Sequence, residues 1–367
     1  MSDRRARDGA GPAGANGGEG NGGGVSRRSL LRAGAAGAVG AAGVAVAGAA
    51  RAVQQGASSE QLRGAAQLLS SHGHVGSNDA VGDIRPGGFD PTAYLTEFDY
   101  GRVSATADGR TRREWDIVAV DQDIEVAPGV WFPAWTYNGQ VPGPTLRCTE
   151  GDRLRVNFRN GGSHPHTIHF HGTHPAEADG VFEIVNPGES FVYEFDAEPF
   201  GLHLYHCHAI PLKRHIHKGL YGTFIIDPPG GREPARELVM MMNGFDTNFD
   251  GSNEIYAVNT VGFHYQRHPI RLALNELVRV YLVNITEFDL INSFHLHGNM
   301  FRLYRTGTDL ERHELTDTVT LCQGERAVLE FRFKFPGRFM FHAHQSEFAE
   351  LGWMAMFDVH DEEAPVV

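Results

Sequence analysis

Residues 185–208, VNPGESFVYEFDAEPFGLHLYHCH, align without a gap with residues 321–344, LCQGERAVLEFRFKFPGRFMFHAH. Both stretches contain a Gly-Glu pair and a Glu-Phe pair, and both end on a His-x-His motif. Earlier in each half a second His-x-His motif recurs, as HFHG at 169–172 and HLHG at 295–298. An internal repeat of this kind indicates two copies of one structural unit, each with two His-x-His motifs.

The rest of the chain is dominated by short alternating stretches between Gly, Pro and Asn turns. The segments LRVNF at 154–158, FVYEF at 191–195 and AVLEFRF at 327–333 have the period of two that is typical of strands. We therefore predict an all-β protein. The polar break DPPGG at 227–231 separates two domains, which we place at 113–229 and 236–367, after an N-terminal arm at 50–112.

Residues 1–49 have the layout of an export signal. A polar, Gly-rich segment is followed by SRRSLLR at 26–32 and then by an uncharged run of Ala, Gly and Val from 33 to 50. This order is typical of a twin-arginine signal peptide, and AGA at 47–49 matches the small-residue pattern of a cleavage site. Because a run of Ala and Gly is weakly hydrophobic, we expect no membrane span after processing and a location in the periplasm or outside the cell.

Composition narrows the function. A net charge of -13 argues against a general nucleic-acid-binding protein, because such proteins need clusters of Lys and Arg. Three cysteines are too few for a disulfide scaffold, and Cys148 and Cys322 are compatible with either a bond or two free thiols. The chain has 20 histidines, many of them clustered, and clustered imidazoles are typical of metal sites.

The spacing of the histidines favours copper. On a strand, residues i and i+2 project from the same face about 6 to 7 Å apart, so a His-x-His motif directs two imidazoles into one space. Four such motifs supply eight nitrogen ligands, which are too many for one metal ion and suit a cluster of three. Imidazole is a ligand that copper binds well among the first-row metals.

The two halves differ at a second predicted copper site. The residue between the two histidines of LYHCH is Cys207, whereas the equivalent residue in the second half is Ala343. Likewise, His166 precedes the first motif where the second half has Asn292. Blue copper needs one thiolate and two imidazoles, so only the first half supports it. The third ligand must follow the cysteine, where His215 and His217 are the candidates; we favour His215.

Four motifs together resemble the two-domain multicopper oxidases of the small-laccase type: YNGQVPGPT at 137–145, HTIHFHG at 166–172, LYHCH at 204–208 and FHLHG at 294–298. The resemblance covers about residues 113–360. It implies two cupredoxin-like Greek-key β-sandwich domains with four coppers per chain. It also implies dioxygen and a small-molecule electron donor as substrates, and a homotrimer in which each cluster forms between subunits.

The resemblance also implies individual roles. His166, Cys207 and His215 would bind the blue copper, with Leu220 at the axial position where many relatives carry a methionine. Asp179 resembles the family's acidic residue that relays protons near the cluster, and Glu347 is a weaker candidate for such a role. The cluster ligands would be His169 and His295 for the type 2 copper, and His171, His206, His208, His297, His342 and His344 for the type 3 pair.

These roles predict a laccase-like oxidase in which the donor gives its electron through the exposed edge of a ligand histidine. A copper-containing nitrite reductase is an alternative, because such reductases share the blue site in the first domain. They carry an aspartate where this chain has His169, however. An oxidase of manganese, iron or copper ions and a non-catalytic electron carrier also remain open. Met240-Met241-Met242 could suggest an oxidase of cuprous ions, but we favour packing methionines on a strand.

Overall fold

The computed structural model describes residues 89–361. The predicted export signal, residues 50–88 of the predicted arm and residues 362–367 lie outside this range. Among the described residues no helix has the length and apolar character needed to cross a membrane. The helices are short: α1 (Pro91–Tyr94), α2 (Leu212–His217), α3 (His264–Arg267) and α4 (Ser346–Glu350).

The first half forms two facing sheets. Its strands are β1 (Arg102–Ala105), β2 (Thr111–Ala127), β3 (Val130–Tyr137), β4 (Gly143–Thr149), β5 (Arg153–Asn160), β6 (His169–Phe170), β7 (Ser190–Asp196), β8 (Gly201–His206) and β9 (Tyr221–Asp227). One sheet has the order β1-β2-β5-β7, with β3 also paired to β2, and the other has the order β4-β9-β8-β6. The β2–β5 and β4–β9 pairs are parallel, so the chain crosses between the two sheets instead of winding through adjacent hairpins.

The second half repeats this plan. Its strands are β10 (Arg236–Phe245), β11 (Ile255–Val258), β12 (Ile270–Ala273), β13 (Val278–Asn284), β14 (Ile291–Leu296), β15 (Phe301–Arg305), β16 (Glu314–Thr316), β17 (Thr318–Cys322), β18 (Arg326–Phe331), β19 (Gly337–His342) and β20 (Met354–His360). The sheets have the orders β11-β10-β13-β18-β15-β16 and β12-β20-β19-β14-β17. The all-β class and the two cupredoxin-like sheet pairs predicted from the sequence are confirmed.

Alternation along the strands builds the cores. In β5 the apolar residues Leu154, Val156 and Phe158 are each 1% exposed, and the residues between them are less buried. Burying each such side chain stabilises the fold by about 1.5 to 3 kcal/mol relative to leaving it in water. In β10, Met240 and Met242 pack in the core of the second half, while Met241 faces a cluster shared with the first half. The three methionines are therefore packing residues.

The last part of the predicted arm joins the folded body. Residues 89–112 contain α1 and β1, and β1 pairs antiparallel with β2. Tyr94 and Leu95 are 1% and 2% exposed, and the Tyr94 hydroxyl donates to the Gly143 carbonyl at 3.2 Å. Tyr94 packs in the cluster shared by both halves, so this segment ties the two sheet pairs together.

A charged network also joins the halves. The Arg147 guanidinium donates to Asp227 at 2.8 Å and to Glu237 at 2.6 Å, and thus links β4 and β9 to β10. Arg279 continues the network by contacting Glu237 at 3.1 Å and Glu330 at 2.6 Å. Because these groups are largely buried and mutually paired, removing one would leave an uncompensated charge.

The cysteines are free thiols in this structure. Cys148 is buried in the core of the first half, whereas Cys322 is exposed on β17. Cys207 is also buried, directly after the end of β8.

Candidate metal centres

His166, Cys207 and His215 converge in the first half to form what we term the Cys207 site. The Nδ1 atom of His215 lies 3.2 Å from the Cys207 Sγ and 3.2 Å from the His166 Nδ1. Cys207 follows β8, His215 lies on α2, and His166 is held by backbone hydrogen bonds with Val185. The three side chains come from three separate segments, so the site exists only once the sandwich has folded.

The chemistry of the Cys207 site fits a soft, thiophilic cation. Burial is the main cause that lowers the pKa of His166 to about 3 and that of His215 to about 4, so both imidazoles are neutral near pH 7. Burial also raises the pKa of the Cys207 thiol, although hydrogen bonds, first among them that of the Thr167 backbone N–H at 3.4 Å, oppose this rise. A bound cation would hold the thiolate that the apolar surroundings disfavour. One sulfur and two nitrogens are the donor set of blue copper.

Two further sequence candidates lie beside this site. Leu220 is fully buried in the same core cluster as Cys207, and its carbonyl accepts the Cys207 backbone N–H at 2.9 Å. His217 points elsewhere, since its ring packs against Phe132, Phe249 and Phe288 at 4.8 to 6.0 Å. Of the two histidines on α2, the structure therefore brings only His215 next to Cys207.

The first histidine group comprises His169, His171, His206 and His208. The backbones of His169 and His206 pair directly across β6 and β8, which brings the two motifs side by side. The Nε2 atoms of His171 and His206 lie 3.2 Å apart, and the His169 ring centroid lies 5.2 Å from both of their rings. His208 lies beyond the strand end, with its ring 5.5 Å from that of His169.

The second histidine group, His295, His297, His342 and His344, has the same arrangement. The backbones of His295 and His342 pair across β14 and β19, and the Nε2 atoms of His297 and His342 lie 2.9 Å apart. The His344 ring lies 5.2 Å from that of His295. This group is more open to solvent, because His297 and His344 are exposed.

Backbone carbonyls fix the protonation of four of these rings. The Nδ1 atoms of His169, His206, His295 and His342 lie 2.6 to 3.0 Å from the carbonyl oxygens of Asp179, Cys207, Asp317 and Ala343. A carbonyl only accepts a hydrogen bond, so each Nδ1 carries the proton and each Nε2 keeps a free lone pair. Metal-binding histidines are oriented in this way, and both groups therefore fit a metal cluster.

Burial keeps these donors neutral. It is the main cause that lowers the pKa of His171 to about 3 and that of His206 to about 4. The pKa values of His169, His297 and His342 are also below the ordinary value, with burial as the main cause. Neutral imidazoles bind metal ions without first losing a proton.

Two acidic residues flank the groups in equivalent positions. The Asp179 carboxylate lies 3.1 Å from the His169 Nδ1 and 3.7 Å from the His174 Nε2. Asp317, which the sequence reasoning missed, lies on the corresponding side of His295, where its carboxylate is 3.9 Å from the ring. Asp317 directly precedes β17 and lies outside residues 321–344, the stretch that aligns without a gap. The alignment of the histidines therefore gave no signal for it. Glu347, the weaker candidate, is exposed on α4.

The expectation that a ligand histidine of the Cys207 site has an exposed edge is not met, because both imidazoles are buried. His166 is fully buried and His215 is 3% exposed. The Trp135 ring covers both, with its centroid 5.2 Å from that of His166 and 4.9 Å from that of His215. Trp135 lies two residues before the end of β3, and a large aromatic residue at such a position gave no sequence signal for this role.

Comparisons with known proteins agree with this arrangement. Profiles described as multicopper oxidase match residues 120–231 and 232–363. A multicopper oxidase crystal structure is 58% identical, with a TM-score of 0.73 over 74% of this chain and 98% of that one. A copper nitrite reductase structure from Nitrosomonas europaea is 26% identical, with a TM-score of 0.65 over 69% of this chain and 96% of that one.

A curated relative is more distant. The copper-containing nitrite reductase of Neisseria meningitidis serogroup A is 28% identical over 61% of this chain. The match covers 63% of the reductase, so this chain spans less than two thirds of the length of that relative.

Proposed function

Because the chain belongs to the multicopper oxidase family, we propose that it is a laccase-like enzyme. It would couple one-electron oxidation of phenolic or similar small donors to four-electron reduction of dioxygen to water. The observation that carries this proposal is the second histidine group. Two of its Nε2 atoms, those of His295 and His342, are freed by carbonyl contacts in the same way as two in the first group, although the second group has no cysteine and cannot build a blue site.

Four coppers per chain would occupy these sites. His166, Cys207 and His215 would hold the blue copper, and His169 and His295 the type 2 copper. The type 3 pair would be held by His171, His206, His208, His297, His342 and His344. When bound, the metals supply one-electron redox chemistry and a site for dioxygen. The Cys207 site and the first histidine group are joined covalently, because Cys207 lies between His206 and His208.

The side chains around the metals would orient ligands and handle protons. The Asp179 carboxylate, 3.1 Å from the His169 Nδ1, holds that ring in place and is well positioned to take and give protons at its oxygen. Asp317 would orient His295 mainly through its backbone carbonyl, since that oxygen lies 3.0 Å from the Nδ1 and the carboxylate lies 3.9 Å away.

We further propose that each cluster forms between subunits of a homotrimer. In residues 89–361, the close ring contacts of the eight histidines all stay within one half of the chain. Each half thus offers an incomplete ligand set. Exposed apolar residues occur in the chain near both groups, as Phe182 and Ile184 after Asp179, and as Met300 after His297. A contact between unlike faces of neighbouring subunits forms a ring when the rotation between them closes, and the proposed trimer is such a ring.

Nitrite reduction is the competing function, because a solved structure and a curated relative with that activity match this chain. Identifying the electron acceptor, dioxygen or nitrite, distinguishes the oxidase from the reductase. Copper-loaded protein with a phenolic donor should consume dioxygen at four electrons per molecule, without accumulating peroxide. Nitrite-dependent formation of nitric oxide with no oxygen uptake would instead establish the reductase. A four-copper preparation with neither activity would indicate an electron carrier.

A further inference from the structure

A cavity of about 1000 Å³ lies outside the metal centres, on the far side of Trp135 from the Cys207 site. We term it the Trp135 cavity. Its walls come from both halves of the chain: β2 and β3 supply Asp123 and Trp135, the end of α2 supplies Lys218, and the second half supplies Phe249 and Phe288. The cavity is therefore formed only when the two sandwiches pack together.

Trp135 is the boundary between this cavity and the predicted copper ligands. It lines the cavity although it is only 4% exposed, and its ring lies 4.9 Å from that of His215 and 5.2 Å from that of His166. His166 and His215 do not line the cavity. A molecule bound at the Trp135 wall of the cavity would therefore contact Trp135, whose ring in turn contacts both imidazoles.

Lys218 gives the cavity a positive group in aromatic surroundings. Its ammonium lies 5.0 Å from the Phe132 ring centroid, 5.2 Å from that of Phe249 and 5.9 Å from that of Trp135. Burial lowers the pKa of Lys218 to about 8, and Asp121 and Asp123 act on it through space without a hydrogen bond. A buried ammonium of this kind gains from a ligand oxygen that accepts its hydrogen bond.

Charged residues of both signs line the cavity, but two of its cations, Arg214 and Lys218, lie 5.1 and 5.9 Å from the Trp135 ring centroid and disfavour a metal ion at that wall. Lys213 and Arg214 line it beside Lys218, and these cations repel another cation. Of the acidic residues, Asp121 already accepts a hydrogen bond from Ser163, and the Asp246 carboxylate accepts the backbone N–H groups of Asp250 and Gly251. The carboxylates of Asp123 and Asp250 also line the cavity. At the Trp135 wall, however, the cavity offers aromatic rings and a hydrogen-bond donor, which is the lining typical of a small-molecule site.

We propose that the Trp135 cavity binds a small phenol, with its ring between Trp135 and Phe249 and its oxygen at Lys218, and that Trp135 relays the electron to the Cys207 site. This inference rests on the proposed oxidase function and assigns the residues that bind its phenolic donor and pass on the electron. The phenol loses one electron and its hydroxyl proton and becomes a phenoxyl radical. The electron would pass through Trp135 to the cupric ion that the Cys207 site would hold, and the proton would leave through Asp123 or water.

Binding is tested without turnover by titrating the oxidised, copper-loaded protein with 4-nitrophenol, whose electron-poor ring resists oxidation. Its absorption band should shift on saturable binding. Lys218→Met should weaken binding by about tenfold or more, because a charge-assisted hydrogen bond is lost. Phe249→Ala should weaken it by about three- to tenfold through lost stacking. Unchanged affinity in both variants would overturn the cavity assignment.

The relay is tested by anaerobic stopped-flow reduction of the blue absorption band with a phenol. Trp135→Leu should slow this reduction by about tenfold or more, with the blue band and copper content unchanged. Trp131→Leu is the matched control, because Trp131 lies on the same strand but is 61% exposed and outside the cavity. Equal rates for the two variants would overturn the relay.

These tests separate the inference from the proposed function, because neither needs dioxygen. Nitrophenol binding that depends on Lys218, in a protein without oxygen uptake, would support the cavity and reject the oxidase. Oxygen uptake that is indifferent to Trp135, Lys218 and Phe249 would support the oxidase and reject the cavity. If manganous ion competed with nitrophenol, and substitution of Asp123 removed this competition, the donor of the Trp135 cavity would be a metal ion and not a phenol.

Discussion

The backbone of His169 pairs directly with that of His206, so the two His-x-His motifs of the first half meet at one point of the sheet. The same register joins His295 to His342 in the second half. In each half this pairing leaves two Nε2 atoms about 3 Å apart and a further histidine just beyond the strand end. The repeat seen in the sequence is thus a repeat of ligand geometry, and it leads to predictions for each site.

Replacing the cysteine tests the Cys207 site. Cys207→Ser removes the proposed thiolate ligand and should abolish the intense blue absorption band, while the copper bound by the histidine groups is largely retained. Absorption spectroscopy and copper analysis measure the two effects. Cys322→Ser is the control, because Cys322 is exposed on β17 and should leave the spectrum unchanged. Blue colour in Cys207→Ser would exclude this ligand.

Leu220 tests the axial position. Leucine has no donor atom, whereas methionine offers a thioether that stabilises the cupric more than the cuprous state. Leu220→Met should therefore lower the reduction potential of the blue site, as measured by a redox titration. Leu220→Ile changes shape without adding a donor and should have the smaller effect. If the methionine variant kept or raised the potential, residue 220 would not be axial.

Asp179 and Asp317 form a matched pair for the proton-relay role. Asp179→Asn should lower the turnover of oxygen reduction by about a hundredfold, because a proton donor and acceptor beside His169 is lost. Asp317→Asn should have a smaller effect, since its carboxylate lies 3.9 Å from His295 and its carbonyl contact is retained. Steady-state kinetics at unchanged copper content measure both. If Asp179→Asn had the turnover of the wild type, Asp179 would have no role in proton relay and would be only a turn residue.

The Arg147 network predicts a dependence of stability on pH. Burial alone would raise the pKa of Glu237, but the hydrogen bonds of Arg147 and Tyr281 and the charges of Arg147 and Arg279 together outweigh it, so the pKa lies below its ordinary value of 4.5. The resulting stability is fully present above pH 4.5 and is lost as the pH falls through the lower pKa of the folded state.

Glu237→Gln should therefore lower the free energy of unfolding at pH 7 by about 1 to 3 kcal/mol, and this deficit should shrink as the pH falls below 4.5. Chemical denaturation of the two proteins over this range measures it. Glu311→Gln, at an exposed position, should follow the wild type. A deficit that did not change with pH would show that the Arg147 contact does not stabilise the Glu237 carboxylate.

The sequence predicted the fold class and the histidine motifs because both are local in the chain. Strand alternation and the 24-residue repeat need no knowledge of packing. The Trp135 cavity was not predictable, because Trp135 meets Phe249 and Phe288 only after the two sandwiches pack. Likewise, the burial of His166 and His215 depends on the position of Trp135, and the role of Asp317 depends on how the segment before β17 meets His295.

In the proposed trimer, one cluster is completed by the first histidine group of one subunit and the second histidine group of the next. Co-expression of a chain lacking His206 and His208 with a chain lacking His342 and His344 tests this arrangement. Each variant alone should be inactive. At equal amounts, random rings should regain about a quarter of wild-type oxygen uptake, because one interface in four is intact. Oxygen uptake that stays at zero in every copper-loaded mixture would contradict a cluster shared between subunits.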